Sequence, residues 1–312
     1  MIEAVIEFED GNIITHNSNV REISKKFEKG FISCYFDSNG NIKIKRDEIP
    51  EDHKPFKSLE TIQVLDSVRC FFKNDIRERV NKLGFLHKLG ILLHGIQGTG
   101  KTSLMHFISN IMIEDQEAVC FLCNSRDNMV ASISIAKEIR KIQSNPILFI
   151  CDEFERFASS AESEMKNFLD GKDSIDNMLF LAATNYIDNV PDTIKNRPSR
   201  FRVVVEIKGI TDKVEMKRIL MNNSTKIDPN VFTESEIDEI VKNTDSITLD
   251  QLKSKVLEKV SNFKPVESKP RKIGFSKDKE DESVLTNEGI DDWNWLSLLT
   301  SPNIKFISDS NI

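Results

Sequence analysis

Apolar residues along this chain change their period several times, and each change marks an element. Ile91-Leu92-Leu93 is a short continuous apolar run, the pattern of a strand buried on both faces, and Leu104, Phe107, Ile108 and Ile111 then recur at helical spacing. Strand-type runs return at Val119 to Cys123, Pro146 to Cys151, Met178 to Ala183 and Val203 to Ile207, with a helical pattern from Val130 to Ile142 between the first two. This alternation predicts a parallel sheet with helices on its faces.

The flanks read differently. Ala4-Val5-Ile6 with Phe8, an Asp10-Gly11 turn and Ile13-Ile14 predict a hairpin; Asn19 followed by Glu22 predicts a short helix ending at Gly30; Phe31 to Phe36, Asn39-Gly40 and Ile42-Lys43-Ile44 predict a second hairpin. A charged, proline-marked linker over 48–55 leads to Ser58, which can cap a helix carrying Leu65, Val68 and Phe72. After Gly209, Met216, Ile219 and Leu220 share a helix face, and Thr233 with Glu236 and Thr248 with Gln251 are capping boxes opening two more helices. The expected division is a small α+β amino-terminal module over 1–56, an α/β core over 57–209, a helical lid over 210–263, and a disordered linker and tail over 264–312.

Composition changes this picture little. With 312 residues and 39% hydrophobic content, the chain can build a real core. A net charge of −7 gives no general attraction to nucleic acid. No apolar run approaches the roughly 20 residues that span a bilayer, so a soluble, intracellular (cytoplasmic) protein without a membrane partner is expected. The five cysteines are odd in number and scattered, which favours reduced thiols over a disulfide framework. Cys120 and Cys123 lie in a strand-type run with no second pair and no nearby histidine, so zinc is not expected.

Candidate chemistry concentrates after the first core strand. Gly95-Ile96-Gln97-Gly98-Thr99-Gly100-Lys101-Thr102-Ser103 is a glycine-rich loop leading into a helix, a motif that arises by chance roughly once in a hundred chains of this length. Its glycines let successive N–H groups converge on phosphates at a helix N-terminus. Lys101 would reach the β- and γ-phosphates, and the Thr102 hydroxyl would ligate Mg²⁺. One strand-and-helix unit later, Asp152-Glu153 follows an apolar run and would sit at the sheet's carboxyl edge. There, as the second half of an NTPase site, Asp152 would hold Mg²⁺ through water and Glu153 would orient and deprotonate the attacking water. The strand from Met178 ends in Thr184-Asn185, which can reach the same edge. Arg197 and Arg200 sit in a loop before the next strand, either as a solvated turn or as a phosphate clamp. The fold class expected is therefore α/β, a three-layer P-loop NTPase core with a helical lid and a β-rich amino-terminal module.

Gly95 to Thr102, Ile147 to Glu153, Leu181 to Asn185 and Asn196 to Phe201, in this order and spacing, resemble the Walker A, Walker B, sensor-1 and arginine-finger motifs of AAA+ ATPases, original AAA subgroup. The resemblance covers about residues 58–263. It implies a homo-oligomeric ring, usually a hexamer, in which Arg197 and Arg200 reach the nucleotide of the neighbouring subunit, and it assigns Asn185 to placing the attacking water. The last helix lacks the opening arginine found in other AAA+ branches. Asn124 to Ser132, where substrate-threading relatives carry an aromatic pore loop, has neither aromatic nor glycine. In this respect, and in Phe168 to Gly171, the chain is similar to the mitochondrial translocase of folded Rieske protein, without that family's membrane anchor.

Two function classes follow: an ATP-driven remodeller or translocator of a protein client, or an ATP-driven loader or switch in a nucleic-acid assembly, with nucleic acid possible as a partner but not indicated. The absence of net positive charge and of zinc-finger or helix-turn-helix patterns favours the first. Trp293 and Trp295, in an acidic stretch beyond the linker, read either as a terminal helix on the core or as a tethered partner motif.

Overall fold

The computed structural model describes residues 3–9, 12–17, 20–48, 55–225 and 231–261. Ten strands form one sheet: β1 (Glu3–Glu9), β2 (Asn12–Asn17), β3 (Val20–Ser24), β4 (Gly30–Phe36), β5 (Ile42–Asp47), β6 (Lys88–His94), β7 (Val119–Leu122), β8 (Ile147–Cys151), β9 (Met178–Thr184) and β10 (Val203–Glu206). Their spatial order is β10-β6-β9-β8-β7-β4-β5-β1-β2-β3. From β10 to β4 every pairing is parallel; from β4 onward it is antiparallel.

The parallel half matches the expected core. All seven residues of β9 and all five of β8 are buried, as strands covered by helices on both faces must be. The covering helices are α1 (Leu59–Phe71), α2 (Asn74–Lys82), α3 (Lys101–Gln116), α4 (Arg126–Ile142), α5 (Glu155–Ala158), α6 (Glu162–Asp170) and α7 (Asp192–Lys195). Ser58 caps α1 by accepting the Thr61 N–H, and Val64, Leu65, Val68 and Phe71 are its buried positions. Phenylalanines fill the layer between sheet and helices: Phe149 lies 4.7 Å from Phe168, and Phe180 lies 5.8 Å from Phe201. Each such buried ring contributes on the order of 2–3 kcal/mol.

The amino-terminal strands depart from the pattern in two ways. First, Val20–Ser24 is a strand and not the short helix that the Asn19 to Glu22 spacing suggested; Asn19 itself lies outside the described residues. So short a helix is marginal in water, whereas the edge of β2 offers a ladder, with Ile23 opposite Ile14. In its described residues the module is thus β rather than α+β. Second, these strands are continuous with the core sheet, because β4 pairs in parallel with β7 from Gly30↔Val119 to Ser33↔Leu122. Phe27 is buried and exchanges hydrogen bonds with Gln143 at the end of α4, at 2.8 and 3.2 Å. The Asn39-Gly40 turn is as expected: Asp37 Oδ1 accepts from the N–H groups of Asn39 and Asn41, and Gly40 takes a φ of 81°.

After β10 the chain is helical: α8 (Lys213–Thr225), α9 (Glu234–Lys242) and α10 (Leu249–Ser261). Both capping boxes are formed, Thr233 with Glu236 and Thr248 with Gln251. The expected linker over 264–283 and the Trp293/Trp295 segment lie outside the described residues.

Candidate nucleotide site

The site grows from the carboxyl ends of three adjacent strands. His94 of β6 is in register with Thr184 of β9, and Ala182 of β9 with Cys151 of β8, so the loop after β6, Asp152-Glu153 and Asn185 emerge at one edge. Ligands of open α/β sheets bind at that edge. Gly95 has a φ of 141°, and a Cβ there would stand 2.3 Å from the Ile207 carbonyl oxygen. Gly98 and Gly100 also take positive φ, 82° and 90°, before Lys101 opens α3. Side chains at these positions would close the loop or force it open.

Lys101 is 5% exposed, and its Nζ donates to the carbonyls of Gly95 and Ile96 at 2.8 and 2.9 Å. Burial lowers its pKa, opposed by the nearby carboxylates of Asp152, Glu155 and Asp250. Two of its three donors thus brace the loop, pointing the ammonium into the concavity the glycines make. Thr99 Oγ1 donates to the Ile96 carbonyl at 3.0 Å; Ile96, Gln97 and Thr102 are exposed, and Ser103 is half-buried. Thr102 Oγ1 donates to Asp152 Oδ2 at 2.7 Å. This pair offers only oxygen, the donor set a hard divalent cation such as Mg²⁺ accepts.

Glu153 has a φ of 48°, in the left-handed region that a non-glycine residue occupies at a cost of on the order of 1–3 kcal/mol. Its N–H donates to Asp152 Oδ1 at 2.9 Å, and the next N–H, of Phe154, donates to the Ala183 carbonyl at 2.8 Å. The strain therefore sits between two fixed points. Arg156 holds that carboxylate with both guanidinium nitrogens, at 2.7 and 2.8 Å. Asn185 follows β9 directly and is half-buried, while Thr184 Oγ1 accepts the Tyr186 N–H at 3.0 Å. Burial lowers the pKa of His94, outweighing the opposite pull of Glu206. This fits a packing role.

Arg197 and Arg200 are elsewhere. Arg202 N–H donates to the Gly90 carbonyl, and Val203 pairs with Ile91, so the arginine loop precedes β10 at the amino-terminal edge of the sheet. The run of β6 from Gly90 to Gly95, roughly 16 Å at 3.3 Å per residue, separates it from the glycine loop. Gly90 makes the crossing possible, since a Cβ there would lie 1.8 Å from the Arg200 carbonyl oxygen. The two arginines differ. Arg200 is buried, donating through Nε to Asp170 Oδ1 at 2.9 Å and through Nη1 to the Thr193 carbonyl, while Arg197 stays 63% exposed at 3.6 Å from Asp170. Ser199 Oγ also donates to Asp170, at 2.9 Å. Asp170 lies within the stretch Phe168 to Gly171, and no spacing in the sequence links it to residues thirty positions later.

Two further contacts escaped sequence reasoning. Phe56 packs beside Gly100, with its Cε1 3.4 Å from where a Cβ would stand, and the following residue donates its N–H to buried Glu215 of α8 at 2.7 Å. Asp250, in the first turn of α10, donates its N–H to the Gly98 carbonyl at 3.2 Å. The segment before α1 and two lid helices thus border the loop. Opposite, β7 reaches α4 through only residues 123–125: Ser125 caps α4 by accepting the Asn128 N–H, and Asn128 Nδ2 donates to the Cys34 carbonyl. There is no room for a projecting loop at this point.

Residues 91–209 match the family described as "ATPase family associated with various cellular activities (AAA)". The chain carries an AAA ATPase domain. Among its relatives, a protein named "Putative cell division cycle ATPase" from Plasmodium falciparum (isolate 3D7) is 29% identical over 168 residues, 48% of this chain and 13% of that protein. "Protein CdcH" of Halobacterium salinarum is 30% identical over 156 residues, 45% of this chain and 20% of the relative. "Proteasome-activating nucleotidase" of Aeropyrum pernix is 29% identical over 200 residues, 57% of this chain and 46% of the relative. The chain therefore spans less than half the length of each. Among the described residues of this AAA domain chain, no helix is long and apolar enough to cross a membrane.

Proposed function

We propose that this chain binds and hydrolyses ATP at the glycine loop and that each site is completed by a second copy, in a ring. The observation carrying this reading is the placement of Arg197 at the sheet edge opposite the glycine loop, about a strand's length away. An exposed arginine there cannot serve its own nucleotide, but in a head-to-tail arrangement it faces the next one.

In this scheme the backbone N–H groups of residues 95–102 and Lys101 bind the polyphosphate. Thr102 and Asp152 would hold Mg²⁺, which when bound neutralises charge on the phosphates. Glu153 takes the proton of the attacking water once released from Arg156, and Asn185 orients that water. Arg197 stabilises charge developing on the transferring group. Arg200 supports Arg197 from below, through their common partner Asp170, and is not itself the finger. The ring remodels a protein client, and the short connection between β7 and α4, without an aromatic residue, supports a grip made by another element. Several relatives carry names of this kind, among them "AAA ATPase forming ring-shaped complexes" from Bifidobacterium adolescentis, 23% identical.

The test is turnover as a function of protein concentration. A shared site predicts that specific activity rises as copies assemble. Constant specific activity across dilution, from a chain that stays monomeric, contradicts it.

A further inference from the structure

The amino-terminal edge of the sheet carries something besides arginines. Between α2 and β6 the chain exposes three large apolar side chains in succession around a glycine: Leu83 (73% exposed), Phe85 (68%) and Leu86 (42%). This loop is held rigidly. Gly84 takes a φ of 77°, its N–H donates to the Asn81 carbonyl, and the Phe85 N–H donates to the Val80 carbonyl, the paired bonds of a Schellman helix end. The next residue, His87, is pinned through its N–H to Asp176 at 2.7 Å and through its ring to the Phe71 carbonyl at 2.8 Å, stacking on the Phe71 ring. A fixed loop that presents Leu, Phe and Leu to water is a surface shaped for a partner.

Its neighbours identify the partner. Two residues beyond Leu86, the Lys88 ammonium donates to the carbonyl of Leu169, the residue before Asp170, and Asp170 is the group 3.6 Å from Arg197. Apolar knob and exposed arginine therefore share one patch. At the other edge of the sheet, exposed apolar residues also flank the chemistry: Ile96 (48%) in the glycine loop and Tyr186 (63%) directly after Asn185. If Arg197 reaches another copy's nucleotide, the patch around it is brought against that copy's nucleotide edge. We propose that Leu83, Phe85 and Leu86 are the apolar anchor by which one copy of this chain docks on the next, seated against Ile96 and Tyr186. The contact is heterologous, and it sets the distance at which Arg197 enters the neighbouring site. The inference rests on the shared-site reading above.

Sedimentation velocity with ATP, in chains carrying Glu153→Gln to hold the nucleotide, tests it. Adding Phe85→Glu should shift the assembly midpoint to at least about tenfold higher protein concentration. Nucleotide affinity at low concentration and melting temperature should stay as in the parent, because the ring is solvent-exposed. Adding Arg197→Ala instead should leave assembly near the parent's. Assembly of the Phe85→Glu chain at the parent's concentration overturns the anchor and leaves the shared site standing. A parent chain that remains monomeric while the wild type turns over ATP overturns both. As a second measurement, a photocrosslinking residue at position 85 should mark peptides containing Ile96 or Tyr186 of another copy; crosslinks to position 85 of another copy would mean an isologous contact and overturn the anchor.

Discussion

The two edges of the same sheet are built on opposite principles. At the carboxyl edge, backbone is strained and charges are loosely committed: three glycines and Glu153 take positive φ, and Lys101 spends its donors on carbonyls that a phosphate could replace. At the amino-terminal edge, charges are locked together: Asp170 gathers Arg200, Ser199 and Arg197, and Asp176 gathers Arg77 and the His87 N–H. The first is arranged to change partners, the second to hold position. Arg197, 63% exposed and 3.6 Å from Asp170, is the most loosely held of these charges, and in the proposed ring it is the one that meets another copy.

Substitutions should separate the edges by what they damage. At the carboxyl edge, Lys101→Ala should abolish tight nucleotide binding, and Glu153→Gln should retain binding while lowering turnover by about 10²–10⁴. Melting temperatures without nucleotide should barely move in either. Equilibrium nucleotide titration and single-turnover hydrolysis read the two effects, and turnover by Glu153→Gln at the wild-type rate would remove that residue from its role.

The arginines sharpen the contrast. Arg197→Ala should cost about 10³ in turnover with stability unchanged. Arg200→Ala should instead destabilise the fold by about 3 kcal/mol, since it removes a buried guanidinium and leaves the Asp170 carboxylate only Ser199 and the looser Arg197. Urea unfolding beside steady-state kinetics distinguishes them; equal effects of the two substitutions on stability would erase the division of labour.

A smaller effect is expected from acid. Burial pushes the Asp170 carboxyl up, but hydrogen bonds from Arg200 and Ser199 and the two arginine charges more than offset this and hold it below the usual range. Asp176 is likewise held low, by the His87 N–H and Arg77 against burial. Their stabilisation is present above the unfolded carboxyl value near pH 4 and is lost as pH falls through the lower folded values. His87 and His94, both lowered by burial, add an earlier loss that begins below about pH 6.5, where the unfolded chain takes up protons first. Asp170→Asn should flatten the acid limb in unfolding experiments between pH 5 and 3, roughly the interval where carboxylates titrate. The smallest change should come from Arg156→Ala. Its pair with Glu153 is largely exposed, so removing it should alter turnover by no more than about threefold and leave stability within about 0.5 kcal/mol.

Much of the parallel half was legible, because buried strands must be apolar throughout and the loop chemistry follows each one directly. Gly95 to Ser103, Asp152, Glu153 and Asn185 converge at one edge as their positions after strands require. Less was legible where a segment's fate depends on a distant edge. Val20–Ser24 takes strand geometry because β2 offers it a partner, and β4 joins the core because β7 is free to pair. Nothing local in either segment states this. The two arginines were indistinguishable in sequence, since only the fold brings Asp170 to Arg200 and leaves Arg197 outside.

The measurement that bears most directly on the shared site is complementation between two inactive chains. Arg197→Ala retains Glu153, and Glu153→Gln retains Arg197, so in a mixed assembly some interfaces unite both intact groups. Equal amounts of the two, combined and given ATP, should recover hydrolysis approaching about a quarter of the wild-type rate if neighbours are drawn at random. A mixture no more active than the sum of its parts, from chains shown to co-assemble, would contradict a site built from two copies.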